Sequence, residues 1–259
     1  LLENQKTTSM KSKILRIKSF PTTWNELSPD QLEKVAKLFH GKPPGLKFEG
    51  KLFRILVGYR WWQIGRMLKA RFILSQVPMS ILRGHFEFIY KEVKRTSFVP
   101  TITIGKVVYY APMDRISNLT VNEFSVADDL HIAFRESKNI EYLHYLAAVL
   151  YTPETEPRPM FDKNNLPHKA DKFKKVPLKK LLAMELAYMG CKNHIANKYK
   201  RAFPKMNPES QKKPSKKQSF GKVIRKMTQG DLSKLEAINN VNVYVFMDQF
   251  EEDLTPKKK

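Results

Sequence analysis

Between residues 119 and 151 apolar positions recur at helical spacing, and the ends of the repeat carry helix-terminus signals. Thr120 followed by Glu123 has the form of a capping box, in which each side chain satisfies a backbone N–H of the other. Phe124, Ala127, Leu130 or His131, and Phe134 then line one stripe. Tyr142, Leu143, Leu146, Ala147, Leu150 and Tyr151 line a second, after a break at Ser137-Lys138-Asn139. The pattern predicts two helices folded back on each other, burying both stripes, with the other helices packed on that pair.

The same criteria place elements on either side. Residues 13–19 alternate charged or polar with Ile and Leu, as in a short strand with one wet face, and Pro21 ends it. Ser28-Pro29-Asp30-Gln31 is a helix start, followed by a buried face of Leu32, Val35, Ala36 and Phe39 and a stop at Gly41. Residues 42–49 read as a turn, and 52–73 as one or two helices with Gly58 and Gly65 as candidate breaks. Of Trp61 and Trp62, one is expected in the core and its neighbour, about 100° around the helix, at the margin. Arginines beside an aromatic suit base stacking, but a core aromatic with snorkelling cations around it is the stronger reading. Pro78 opens a helix with the stripe Ile81, Leu82, Phe86 and Ile89. The period then changes to that of a hairpin near 99–110 around Gly105-Lys106. A hairpin this small must pair with the N-terminal strand or lie on the helices.

Residues 152–176 hold four prolines and no sustained period, which predicts a long basic loop. Pro177 opens a helix with Leu181, Leu182, Leu186, Met189 and Ile195 inward. Residues 204–219 read as a basic linker, and 220–227, 231–238 and 241–250 as helices, the last also of good strand composition. The fold class expected is α+β, mainly α-helical: a helical bundle with a small antiparallel sheet, in a single domain with flexible ends at 1–11 and 252–259.

Charge changes this picture more than composition does. With 42% apolar residues the chain has material for an ordinary core, yet 47 Lys and Arg stand against 25 Asp and Glu, a formal charge of +22. The excess is concentrated: residues 158–226 carry 20 cations against Asp162, Asp171, Glu185 and Glu209, a balance of 20 − 4 = +16, while 96–157 carry 4 cations and 8 acids, −4. Three lysine clusters dominate: Lys172, Lys174 and Lys175; Lys179 and Lys180; Lys212, Lys213, Lys216 and Lys217. Lysine is a hydrated point charge unsuited to reading base edges, so these are candidate contacts for phosphate or for an acidic protein partner.

Candidate chemistry is sparse. The chain has no phosphate-binding loop, no dinucleotide turn, no H-E-x-x-H and a single cysteine, so neither a cofactor nor a metal is expected. Cys191 and His194 share a helix face without a third orienting group, and packing of a small hydrophobe is the stronger reading. His131 and His144 fall on facing helices but lack a carboxylate cluster to complete a metal site. Asp128-Asp129 reads as a solvated acidic patch. One cysteine, no apolar leader in the opening residues and an apolar window at 52–77 broken by Arg54, Arg60, Arg66, Lys69 and Arg71 point to a cytoplasmic protein without a membrane partner.

A strand, then Pro21-Thr-Thr-Trp24-Asn-Glu-Leu-Ser28-Pro-Asp-Gln31-Leu32 leading into a helix, the Leu119-Thr-Val-Asn-Glu-Phe124 start, and a helix ending Leu150-Tyr-Thr-Pro153 before a charged loop together resemble the tail-assembly and baseplate-assembly proteins of tailed bacteriophages and prophages. The resemblance implies a non-enzymatic helical chaperone or accessory factor, cytoplasmic in the host cell or virion-associated, whose partners are other phage structural proteins. It brings no catalytic or ligand residues. The basic 158–226 region departs from the pattern and keeps a second expectation open, sequence-nonspecific nucleic-acid binding through phosphate contacts.

Overall fold

A computed structural model of the chain describes residues 20–41, 46–59, 62–153, 158–203 and 231–254, with Phe220, Gly221, Ile224 and Thr228. The N-terminal strand expected at 13–19, the linker 204–219 and the ends 1–11 and 255–259 lie outside these residues. The described residues form a mainly helical α+β fold with one two-stranded antiparallel sheet.

Local sequence sets the helix starts. At α1 (Pro29–His40) the Ser28 hydroxyl accepts from the Gln31 N–H at 3.3 Å, and Gln31 Oε1 accepts from the Ser28 N–H at 2.9 Å. At α5 (Val121–Ser137) Thr120 and Glu123 make the same reciprocal pair. Each box satisfies two backbone donors that a helix N-terminus leaves without partners. Between these helices run α2 (Leu46–Val57), α3 (Ile64–Gln76) and the short α4 (Met79–His85). Helix α2 thus begins inside the stretch expected to be a turn, because Phe48 and Glu49 bury against neighbours that local composition does not reveal. Phe39, expected inside, stays 39% exposed and rests edge-on against Phe48.

The central pair forms as expected. Helix α5 ends at Lys138, which takes a left-handed conformation (φ 58°) and donates its N–H to the Phe134 carbonyl; α6 (Glu141–Leu150) packs back on α5. Strands β1 (Thr101–Ile104) and β2 (Val107–Tyr110) pair in register Thr101 with Tyr110, turning at Gly105 (φ +61°). Tyr110 exchanges two backbone hydrogen bonds with Thr152, and Tyr109 meets Phe173 edge-on, so the hairpin lies on the helices.

Some of the loop expected at 152–176 is helical: α7 spans Leu166–Phe173 and buries Leu166, Ala170 and Phe173 against α6. Three apolar positions in eight residues do not make a readable period; the packing supplies it. Helix α8 (Leu178–Lys198) crosses the core against α1 and α6. The chain closes with α9 (Leu232–Asn239) and α10 (Val243–Asp253), so the end expected to be flexible from residue 252 is helical as far as Asp253. Val121 N–H to Val241 O and Val243 N–H to Leu119 O, each 2.9 Å, pin the start of α10 to the start of α5. The buried apolar residues form one contiguous cluster from Trp24 to Met247. No helix of the described residues is long and apolar enough to cross a membrane.

Candidate partner-docking face

Residues 50–86 contain seven Lys and Arg and no Asp or Glu; one of the seven, Arg83, pairs with Glu49 just before them. Within this stretch, α3 is apolar on two sides. One side carries Ala70 and Ile73, both buried, with Leu74 packed half-buried against the core and Met67 half-buried. Opposite, Ile64, Leu68 and Phe72 stand in a single row at i, i+4 and i+8, each between 54% and 59% exposed. Trp62, just before the helix, is 54% exposed, and Ile81 on α4 is exposed as well. Thirteen residues of helix make this face roughly 20 Å long. Of the two tryptophans, Trp62 therefore takes the outer position; Trp61 is outside the described residues.

Gln31 Nε2 donates to the Leu56 carbonyl at 2.8 Å and thereby holds the end of α2. Gly58 next to it adopts φ +60°, and a Cβ there would meet Gln31 Nε2 at 2.8 Å, so glycine is needed both for the conformation and for the approach. A cleft of about 830 Å³ lies between Pro29, Asp30, Lys34, Tyr59, Trp62 and Arg66.

The lysines expected to meet an anionic partner lie elsewhere. Lys172, Lys174 and Lys175 sit at the end of α7, and Lys179 and Lys180 at the start of α8. Two are engaged within the fold: Lys174 pairs with Asp171 at 2.7 Å and Lys179 with the buried Glu33 at 2.8 Å, contacts that raise both ammonium pKa values. Among the described residues no carboxylate pairs with Lys172, Lys175 or Lys180. Lys212, Lys213, Lys216 and Lys217 lie outside the described residues.

The remaining titratable candidates are structural. Cys191 donates its thiol to the Thr96 carbonyl at 3.2 Å in a buried position, and desolvation pushes its pKa far above the ordinary range, so it is held as a neutral thiol. His131 and His144 do not converge: His131 turns to α8, while His144 is close enough to Lys174 to feel its charge. Asp128, expected in a solvated patch, is buried and ion-paired with Lys192, because α8 covers that side of α5. His131 Nε2 lies 3.0 Å from Glu185 and its Nδ1 3.5 Å from Lys192; Arg135 reaches Glu185 at 3.6 Å. Two carboxylates thus meet two cations around an imidazole that burial keeps neutral, beside a cavity of about 450 Å³. With its charges paired internally, this network is organised for packing α5 on α8. No group of three or more His, Cys, Asp or Glu able to hold a metal occurs among the described residues.

Sequence reasoning missed the outward row of α3. Its trace in the sequence was incomplete: Ile64, Met67, Leu68, Phe72, Ile73 and Leu74 surround the helix, so one covered face leaves another bare. Comparison with family models, with curated proteins and with solved structures finds no match to this chain.

Proposed function

We propose that the protein is a non-enzymatic assembly or chaperone-type factor that holds another protein against α3. The observation that carries this reading is the row Ile64, Leu68 and Phe72, which the described residues leave exposed. Isolated apolar side chains on a surface are ordinary, but an aligned row on one helix is the kind of surface that a helix of another chain covers. The resemblance of the Pro21–Leu32 and Leu119–Phe124 segments to phage tail-assembly proteins supplies the partner class, a structural protein of the tail. In a pull-down from cells co-expressing neighbouring tail genes, the full chain retains a tail protein. Failure to retain any of them overturns the assignment.

Lys172, Lys175 and Lys180 favour a second reading, nucleic-acid binding through phosphate contacts. It requires a gel shift that weakens steeply between about 50 and 200 mM salt, and weakens further when the three are changed to Glu. A shift insensitive to both excludes it.

A further inference from the structure

We infer that His131 is an acid-operated latch between α5 and α8: when its ring gains a second proton, the buried Asp128 exchanges Lys192 for the imidazolium, and Lys192 is released to solvent. The inference is independent of the assembly reading. At neutral pH the contacts fix one tautomer. Nε2 lies 3.0 Å from the Glu185 carboxylate, which only accepts, so Nε2 carries the proton. Nδ1 lies 3.5 Å from the Lys192 ammonium, which only donates, so Nδ1 offers its lone pair. The same ammonium is ion-paired with Asp128.

A second proton therefore enters at Nδ1. It turns that acceptor into a donor facing another donor, with a positive charge on each, while the contact to Glu185 becomes an ion pair. The ring stays and Lys192 moves. Glu185 is buried and keeps hold of Nε2, and Tyr188 closes over the ring edge-on with centroids 5.4 Å apart. Lys192 by contrast has a 27% exposed side chain on a flexible stem, at the wall of the cavity of about 450 Å³, so its ammonium reaches water without movement of the backbone. Asp128 lies three residues before His131, lines the same cavity and is 6% exposed. It is too buried to be left without a partner, and the new Nδ1–H is the donor beside it. Arg135, the remaining charged group at the ring, is half-exposed and stays with Glu185 at 3.6 Å. Among the described residues no other titratable side chain lines this cavity.

Burial opposes the imidazolium, the hydrogen bond to Glu185 favours it, the Lys192 charge opposes it and the Asp128 charge favours it; the net effect puts the exchange below the ordinary histidine range. The test takes the isotope-labelled full chain from about pH 7.5 to about pH 4.5 with two readouts. Ring-nitrogen NMR, with His131 assigned through its backbone, reports tautomer and midpoint. Limited acylation read by mass spectrometry reports Lys192 relative to the exposed Lys200, so that the general pH dependence of amine reactivity cancels.

His131 is expected to start as the Nε2–H tautomer, and the Lys192-to-Lys200 ratio to rise at least about fivefold with the same midpoint as the ring. In His131→Gln the amide holds Lys192 without titrating, and the ratio stays low throughout. In Asp128→Asn Lys192 lacks its anchor, so the ratio is already high at about pH 7.5 and does not change. A ring that starts as the Nδ1–H tautomer overturns the inference, as does titration of His131 with no change in the ratio. So does a chain that unfolds before the ring titrates, or an equal rise in His131→Gln. If His131→Gln does not fold, the coincidence of the two wild-type midpoints and the behaviour of Asp128→Asn decide.

Discussion

At Gly190 the backbone of α8 approaches the segment before β1 so closely that a Cβ would lie 2.0 Å from the Arg95 carbonyl oxygen. That segment is itself fixed, since the buried Arg95 guanidinium donates to the carbonyls of Trp24, Asn25 and Leu27 at 2.9–3.1 Å. Neither side can yield cheaply, so Gly190→Ala is expected to destabilise the fold by on the order of 3 kcal/mol, read as a lowered urea midpoint. A second residue-scale effect belongs to His131. Burial lowers its folded pKa, with the Glu185 hydrogen bond opposing and the Lys192 charge assisting the shift. An unfolded histidine titrates near about 6.5, so below that pH the unfolded state binds the proton first. Stability from this group is complete above the ordinary value and is lost as pH falls from there to the lowered folded value. Melting curves between pH 7.5 and pH 5 should show this acid-side loss, and His131→Gln, which can still bridge Glu185 and Lys192, should reduce its slope.

Between elements, the buried pair Arg158 and Glu123 does what neither helix can do alone. Glu123 caps the start of α5 from within, and Arg158 binds it at 2.9 Å while also donating to the Val149 and Leu150 carbonyls that end α6. One guanidinium therefore satisfies acceptors at the head of one helix and the tail of its neighbour. Arg158→Ala strands a buried carboxylate and two carbonyls, and the expected loss is about 3–5 kcal/mol in chemical denaturation. The apolar double change to Met at both positions should recover some of it, because no charge is then left buried without a partner. The capping boxes on which these contacts build were legible in the sequence, since they involve residues three apart. Arg158 was not, because its carboxylate partner Glu123 lies 35 residues away at the head of another helix.

For the whole molecule, the proposed role of the α3 row predicts that stability and association respond to different residues. Leu68 is largely in water, so Leu68→Gln should change unfolding free energy by no more than about 0.5 kcal/mol while removing partner retention. Buried positions of the same helix behave oppositely: Ile73→Ala opens the core and should destabilise by about 2 kcal/mol or more. Measuring both on one helix tests whether its two apolar sides have different purposes.

What the sequence by itself determined is local. The boxes at Ser28 and Thr120, the stop at Lys138 and the turn at Gly105 are fixed by hydrogen bonds and backbone conformations spanning a few residues, and they appear where spacing put them. Only the tertiary structure decided coverage. Helical period announces that α3 has apolar sides but not which of them another element will hide, and it gives Asp128 no hint that Lys192 will arrive from α8 to neutralise it. Nor does it reveal α7, whose three inward residues gain their meaning from α6. Burial depends on neighbours far away in the chain, and so it was settled only when those neighbours packed.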